Sequence, residues 1–241
     1  MRATSIIFRR ELGSYLRSPI GWVIIAGLLF VDGILFQAFA MRGEQLSAIV
    51  LESYFNFSSY FAGAAGILLS FRLLAEERQN HSMVLLTTSP VRDTEIILGK
   101  FLAALTFLSL FLVLSLYMPL LIKVNGKISG AQILVGYLGL FLLGATGLAV
   151  GMFASALTRS QIIALLIGAA LMVILSNVYQ LAVRLDPPVK DVLAQMDLWW
   201  VRFQTSFMRG ILNLKDVVFY LATIYFFLLL AVKTLESKRW Q

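Results

Sequence analysis

Residues 71–103 read FRLLAEERQNHSMVLLTTSPVRDTEIILGKFLA, a charged, helix-forming stretch set between two runs apolar enough for lipid. It ends at Ser89-Pro90, because proline lacks an amide hydrogen and biases the residue before it away from the helical region. A new amphipathic turn restarts at once. A chain that crosses a membrane several times has little reason to hold such an element at its inner face unless something docks there. The stretch therefore fixes two expectations: an all-α polytopic membrane protein, and a partner on the cytoplasmic side.

Composition sets the class. Of 241 residues, 59% are hydrophobic and 14% charged, and the mean hydropathy is +0.85. Soluble domains run at roughly 45–50% apolar and about 25% charged, so a soluble fold would leave this much apolar surface in water. The net charge is +7, from 20 basic and 13 acidic residues. The positions of the basic residues explain it through orientation in a bilayer, and no nucleic-acid partner is expected. The absence of cysteine excludes disulfides and thiolate sites, and a lone histidine makes a structural zinc site untenable. The first 18 residues carry charge through their first turns and build no apolar core before Ser18-Pro19, so they do not read as a cleaved signal peptide.

A membrane-crossing helix needs about 20 mostly apolar residues. Six runs qualify: 20–40, 57–74, 98–122 (ending near Pro119), 133–156, 162–182 and 217–232. An even number places both termini on one side. Twelve of the 20 basic residues then share that side, and the two short loops opposite hold only Arg42, Lys123 and Lys127. The bias favours cytoplasmic termini. All 241 residues read as one transmembrane domain, comprising an interfacial helix over 1–18, an inner segment over 75–95 and an outer loop over 183–216.

Within the first of these, Phe8, Leu12, Tyr15 and Leu16 make one apolar helical face, with Arg9, Arg10, Glu11 and Ser14 opposite. The outer loop carries Val189, Val192, Leu193 and Met196 after Asp186-Pro187-Pro188, then a second, more aromatic turn over Leu198, Trp199, Trp200, Phe203, Phe207 and Ile211. Paired tryptophans suit the headgroup level, so this loop reads as interfacial or re-entrant helices capping the outer mouth. The fourth span places Gly147, Gly151 and Ser155 four apart on one face, a spacing that lets helices approach closely, within one subunit or at a dimer seam. Asp32 is the one carboxylate well inside a span, with Gln37 five residues on. It is a candidate intramembrane polar site, expected to pair with a basic residue near the outer end or to line a pathway. His81 reads as an ordinary polar residue of the inner segment.

The expected catalytic chemistry is none. No G-x-x-x-x-G-K-[ST] loop cradles phosphate, and Gly99-Lys100 is followed by Phe101. No G-x-S-x-G elbow occurs, and the histidine has no serine nucleophile placed beside it. The chain is expected to be no enzyme by itself.

The residues Leu74-Ala75-Glu76-Glu77-Arg78, Leu85 to Val91, and Ile97-Leu98-Gly99-Lys100-Phe101 resemble the hallmark of ABC-2 type transporter permeases. Arg17 to Trp22 and Phe203 to Tyr220 resemble the gliding-motility-type branch of that family. The departure is Asn80-His81, where many members carry Gly-Thr. The resemblance implies a coupling helix between the second and third spans. It also implies a second permease subunit, identical or not, and two cytoplasmic ATPase subunits that bind the ATP and magnesium, leaving no cofactor in this chain. A bacterial inner membrane and an accessory subunit on the outer side are implied as well. The residues it assigns to ATPase docking are Glu76, Glu77, Arg78, Gln79, Asn80, Ser82, Ser89 and Pro90. A non-transporting scaffold and an ion-coupled carrier or channel are the alternatives.

Overall fold

The computed structural model describes residues 2–40, 46–79, 91–186 and 189–237, with all their side chains except those of Arg2, Ala40, Arg78 and Asn125. Six helices are long and apolar enough to cross a membrane, and no strand occurs among the described residues. The helices are α1 (Arg2–Arg17), α2 (Pro19–Leu35), α3 (Ser47–Ser70), α4 (Ala75–Gln79), α5 (Asp93–Ser115), α6 (Tyr117–Asn125), α7 (Gly130–Leu157), α8 (Gln161–Ala182), α9 (Val189–Ala194) and α10 (Leu214–Ser237).

The second span starts at Ser47, ten residues before the apolar run does. A helix satisfies its own backbone, so it carries Glu52 and Asn56 past the limit that hydropathy sets. The sixth span likewise runs over 214–237, longer than its apolar run of 217–232, with Lys215, Asp216 and Glu236 riding on its ends. The third continues to Val124 but breaks at Leu116, three residues before Pro119. Pro119 cannot donate to the Ser115 carbonyl. The Tyr54 hydroxyl donates to that carbonyl instead, at 3.5 Å.

The fourth span, α7, is the hub. It packs against α3, α5, α8 and α10, and 72% of its apolar window is buried, against 22%, 17% and 22% for the first, fifth and sixth spans. Lipid tails are as apolar as leucine, so close approach of small residues has to supply much of the attraction. A Cβ on Gly147 would lie 2.5 Å from the Gly63 carbonyl oxygen, and one on Gly66 would lie 2.3 Å from that of Gly144. The backbones of α3 and α7 therefore cross almost in contact. The stripe of Gly147, Gly151 and Ser155 faces α3 inside the subunit.

The loop over 183–216 carries short helical pieces, as expected. After α9 come only a π-turn at Trp199–Phe203 and a 3-10 turn at Phe207–Arg209. Asp197 is fully buried, and its carboxylate accepts the amide hydrogens of Tyr179, Trp199, Trp200 and Val201. Three of these are first-turn amides that a helical start leaves without an internal partner, so the carboxylate caps the turn that follows. Gly210 then turns the chain at φ +76°, where its hydrogen lies against Gln132. Trp199 is buried in the protein. Its indole donates to Ser59 at 2.7 Å, and its ring stacks on Tyr60 at 5.1 Å. Phe203 and Phe207 are fully buried beside it.

Candidate functional site

At one end of the bundle α1, α4 and α5 meet around one buried cation. Lys100 occupies the third turn of α5, on the face that Ile96, Ile97, Ala104 and Phe107 turn into the core. Its side chain is 2% exposed, and Nζ donates to Glu11 at 3.0 Å and to Glu77 at 2.8 Å. Arg10 reaches the same two carboxylates from the solvent side, at 2.7 and 3.2 Å. Two acids and two bases thus tie α1, α4 and α5 together. An ammonium buried in this way is tolerated only because it is paired and hydrogen-bonded.

The same approach gives α1 a protein-facing side. The helix buries Ile7 and Tyr15 with Glu11 between them, at i, i+4 and i+8; of the expected apolar face, Tyr15 is buried, Phe8 and Leu12 are half-buried and Leu16 is exposed. The approach is close: a Cβ on Gly99 would meet the Ile7 side chain at 2.9 Å and the Thr4 carbonyl at 3.1 Å. Burial works to raise the Glu11 carboxyl, but the Lys100 ammonium and the Arg10 guanidinium outweigh it and hold the group below the usual carboxylate range. The hydrogen bond to Glu11 in turn raises the Arg10 guanidinium. Burial raises the Tyr15 phenol; its hydroxyl donates to the Leu69 carbonyl, and the Arg72 guanidinium lies 5.5 Å from its ring. Arg72, Glu76 and Ser14 line the rest of a cleft of about 570 Å³ that opens beside the ion cluster.

A second fastening lies deeper. The Ser155 hydroxyl, on α7, accepts the amide hydrogens of Leu74 and Ala75 at 3.0 and 2.9 Å. Those are donors at the break between α3 and α4, which a helix start leaves without an internal partner.

Of the residues assigned to docking, Glu77 turns into the ion cluster, Glu76 lines the cleft and Gln79 is exposed. The Arg78 side chain and Asn80, His81, Ser82, Ser89 and Pro90 lie outside the described residues. Asp32 is 1% exposed, and both its oxygens lie 3.0 Å from the Ser58 hydroxyl of α3. Its partner is a serine of the neighbouring span, not a basic residue. Gln37 is exposed, on a different side of the chain, so the structure does not bring the two together. Toward the opposite end of the bundle, Tyr54, Tyr137 and Ser115 share hydroxyl contacts of 2.7 and 3.0 Å.

Lys100 and Glu11 went unrecognised as site residues because 89 positions separate them. The available signal was helical phase: Lys100 falls among apolar residues at core-facing spacing. Among the described residues, no group of three or more histidine, cysteine, aspartate or glutamate side chains is placed to hold a metal ion. No curated protein matches the chain. A family model described as ABC-2 family transporter protein matches residues 5–232.

Proposed function

The chain belongs to the ABC-2 transporter family, a multi-pass membrane component of transport, and from that premise we propose how it works. It is the permease subunit on whose inner face separate ATPase subunits dock. Their ATP-driven motion enters through the segment between the second and third spans and leaves as rearrangement of the bundle. One observation carries this reading. The short helix α4 is fastened by Glu77 to α1 and α5 and by Ser155 to α7, so a push on it reaches three other helices without passing through lipid. The sequence offers no phosphate-binding loop of its own, which fits an engine supplied by another chain. ATP shifts the bundle only if docking contacts differ between the two engine states.

The gliding-motility-type resemblance supports an exporter or a mechanical complex in a bacterial inner membrane, with a second permease subunit and an accessory outer subunit. The basic-residue bias supports cytoplasmic termini. The test is co-purification in mild detergent, followed by charge reversal of Glu76 and Arg78 with the ion-paired Glu77 left intact. A retained ATPase whose ATP-driven activity falls at least tenfold on reversal supports the reading. No ATPase retained, or activity unchanged, rejects it.

A second reading, an ion-coupled carrier, has one observation in its favour: the buried Asp32 and its serine partner inside the bundle. Loss of transport in Asp32→Asn, with no nucleotide requirement in the wild type, decides for it.

A further inference from the structure

We propose that Ser155 and Glu77–Lys100 are two separate positioning contacts that divide the motion of α4, Ser155 passing it to the fourth span and the ion pair to the third. The proposal rests on the coupling reading above and adds the route by which motion travels. Three features carry it.

First, the two contacts leave α4 at different places and in different directions. The Ser155 hydroxyl holds the Leu74 and Ala75 amides at the start of the helix. Lys100 holds the Glu77 side chain one half-turn further on. Second, their surroundings differ: the Ser155 hydroxyl is fully buried, whereas the buried Lys100 meets Glu77, whose side chain is 15% exposed, at the edge of the cleft. Third, the chemistry differs. A hydroxyl accepting two amide hydrogens is short and directional. A lysine is a point charge on a flexible stem, with three donors that can slide among carboxylate oxygens. The α7 contact therefore acts as a rigid pivot. The α5 contact tolerates a change of angle and can exchange Glu77 for its other partner, Glu11. Arg10 bridges the same carboxylates from α1, which keeps the interfacial helix in register with the ion pair rather than with the pivot.

The natural absence of cysteine gives the experiment. In the complex with its co-purified ATPase, single cysteines replace Leu102 on α5 or Leu157 on α7, both exposed, and carry an environment-sensitive fluorophore. The readout is the emission shift on adding ATP to a complex whose ATPase binds but does not hydrolyse it. Glu77→Gln should reduce the Leu102 shift at least fivefold while leaving most of the Leu157 shift. Ser155→Ala should do the reverse. A merely structural role predicts equal weakening of both probes, and that result overturns the proposal. So does a pair of variants that change neither probe. Glu77→Gln keeps Lys100 paired with Glu11, so retained ATPase binding and an unchanged thermal midpoint separate lost transmission from lost folding. If the wild-type probes stay silent while the ATPase remains bound, the coupling reading itself falls, and this proposal falls with it.

Discussion

Lys100 is the residue with the most at stake. Removing one partner of a buried, hydrogen-bonded ion pair leaves the other charge uncompensated, at a cost of about 3–5 kcal/mol. Lys100→Met places Glu11 and Glu77 opposite each other with only the half-exposed Arg10 between them. We expect a loss of about that size in denaturant unfolding of the detergent-solubilised protein, with Lys100→Arg recovering much of it. The same cluster sets a dependence on pH. The Glu11 carboxyl is held below its ordinary range, so its stabilising contribution is complete above about pH 4.3, where a free glutamate titrates. It is lost as pH falls through the lower folded value. Thermal midpoints of wild type and Glu11→Gln should therefore converge as the pH falls below about 4.3. A gap that widens on acidification contradicts the assigned direction. Ser155→Ala orphans two buried amide hydrogens, each worth about 1–3 kcal/mol, and should destabilise measurably even where transport is not assayed.

At the scale of the helix, glycine decides how closely α3 and α7 cross. A methyl group on Gly147 would lie 2.5 Å from the Gly63 carbonyl, and backbone on both sides cannot step aside as a side-chain tip would. Gly147→Ala should cost about 1–3 kcal/mol through forced separation. Gly27→Ala meets nothing within 4 Å and should leave the melting temperature level or slightly higher, since alanine is the better helix former. The contrast, read by thermal unfolding of the two variants side by side, tests the crossing directly. It also shows which part of the fold was legible. Six apolar runs announce six spans, because the bilayer imposes one length and one polarity on each. Their ends are less legible. Hydropathy marks the hydrocarbon, whereas hydrogen bonding marks the helix, so Glu52 and Asn56 hide a start at Ser47. Trp199 has a partner that sequence does not announce. An aromatic with a polar edge suits a headgroup, but it equally suits a buried hydroxyl such as Ser59, and that partner lies 140 positions away. The small-residue stripe announced close packing while leaving open which helix it meets, since α3 and a second subunit would make the same demand on sequence.

For the molecule as a whole, the physical account depends on which face of the membrane holds the ion cluster. The cluster sits at the end of the bundle where the second span hands over to the third. The 158–160 turn, between α7 and α8, belongs to that end too, because Ser155 touches the start of α4. The 126–129 turn lies at the opposite end, one full span of α7 away. This geometry is internal to the protein and fixes the relative sides without reference to charge. The orientation proposed above, from the basic-residue bias, puts the ion-cluster end in the cytoplasm. Because the chain has no cysteine, Lys127→Cys and Arg159→Cys each give a single thiol on an exposed side chain at opposite ends. In intact cells a membrane-impermeant maleimide should label Lys127→Cys at once and label Arg159→Cys only after permeabilisation. The reverse pattern would put α4, Glu77 and Lys100 outside the cell, beyond the reach of any ATP-driven neighbour. Equal labelling of both would deny the odd number of crossings between them. The first pattern alone puts Ser155 and Lys100 on the side where the proposed ATPase finds nucleotide, with the tight α3–α7 crossing leading from that end of the bundle toward the Tyr54, Tyr137 and Ser115 hydroxyls at the other.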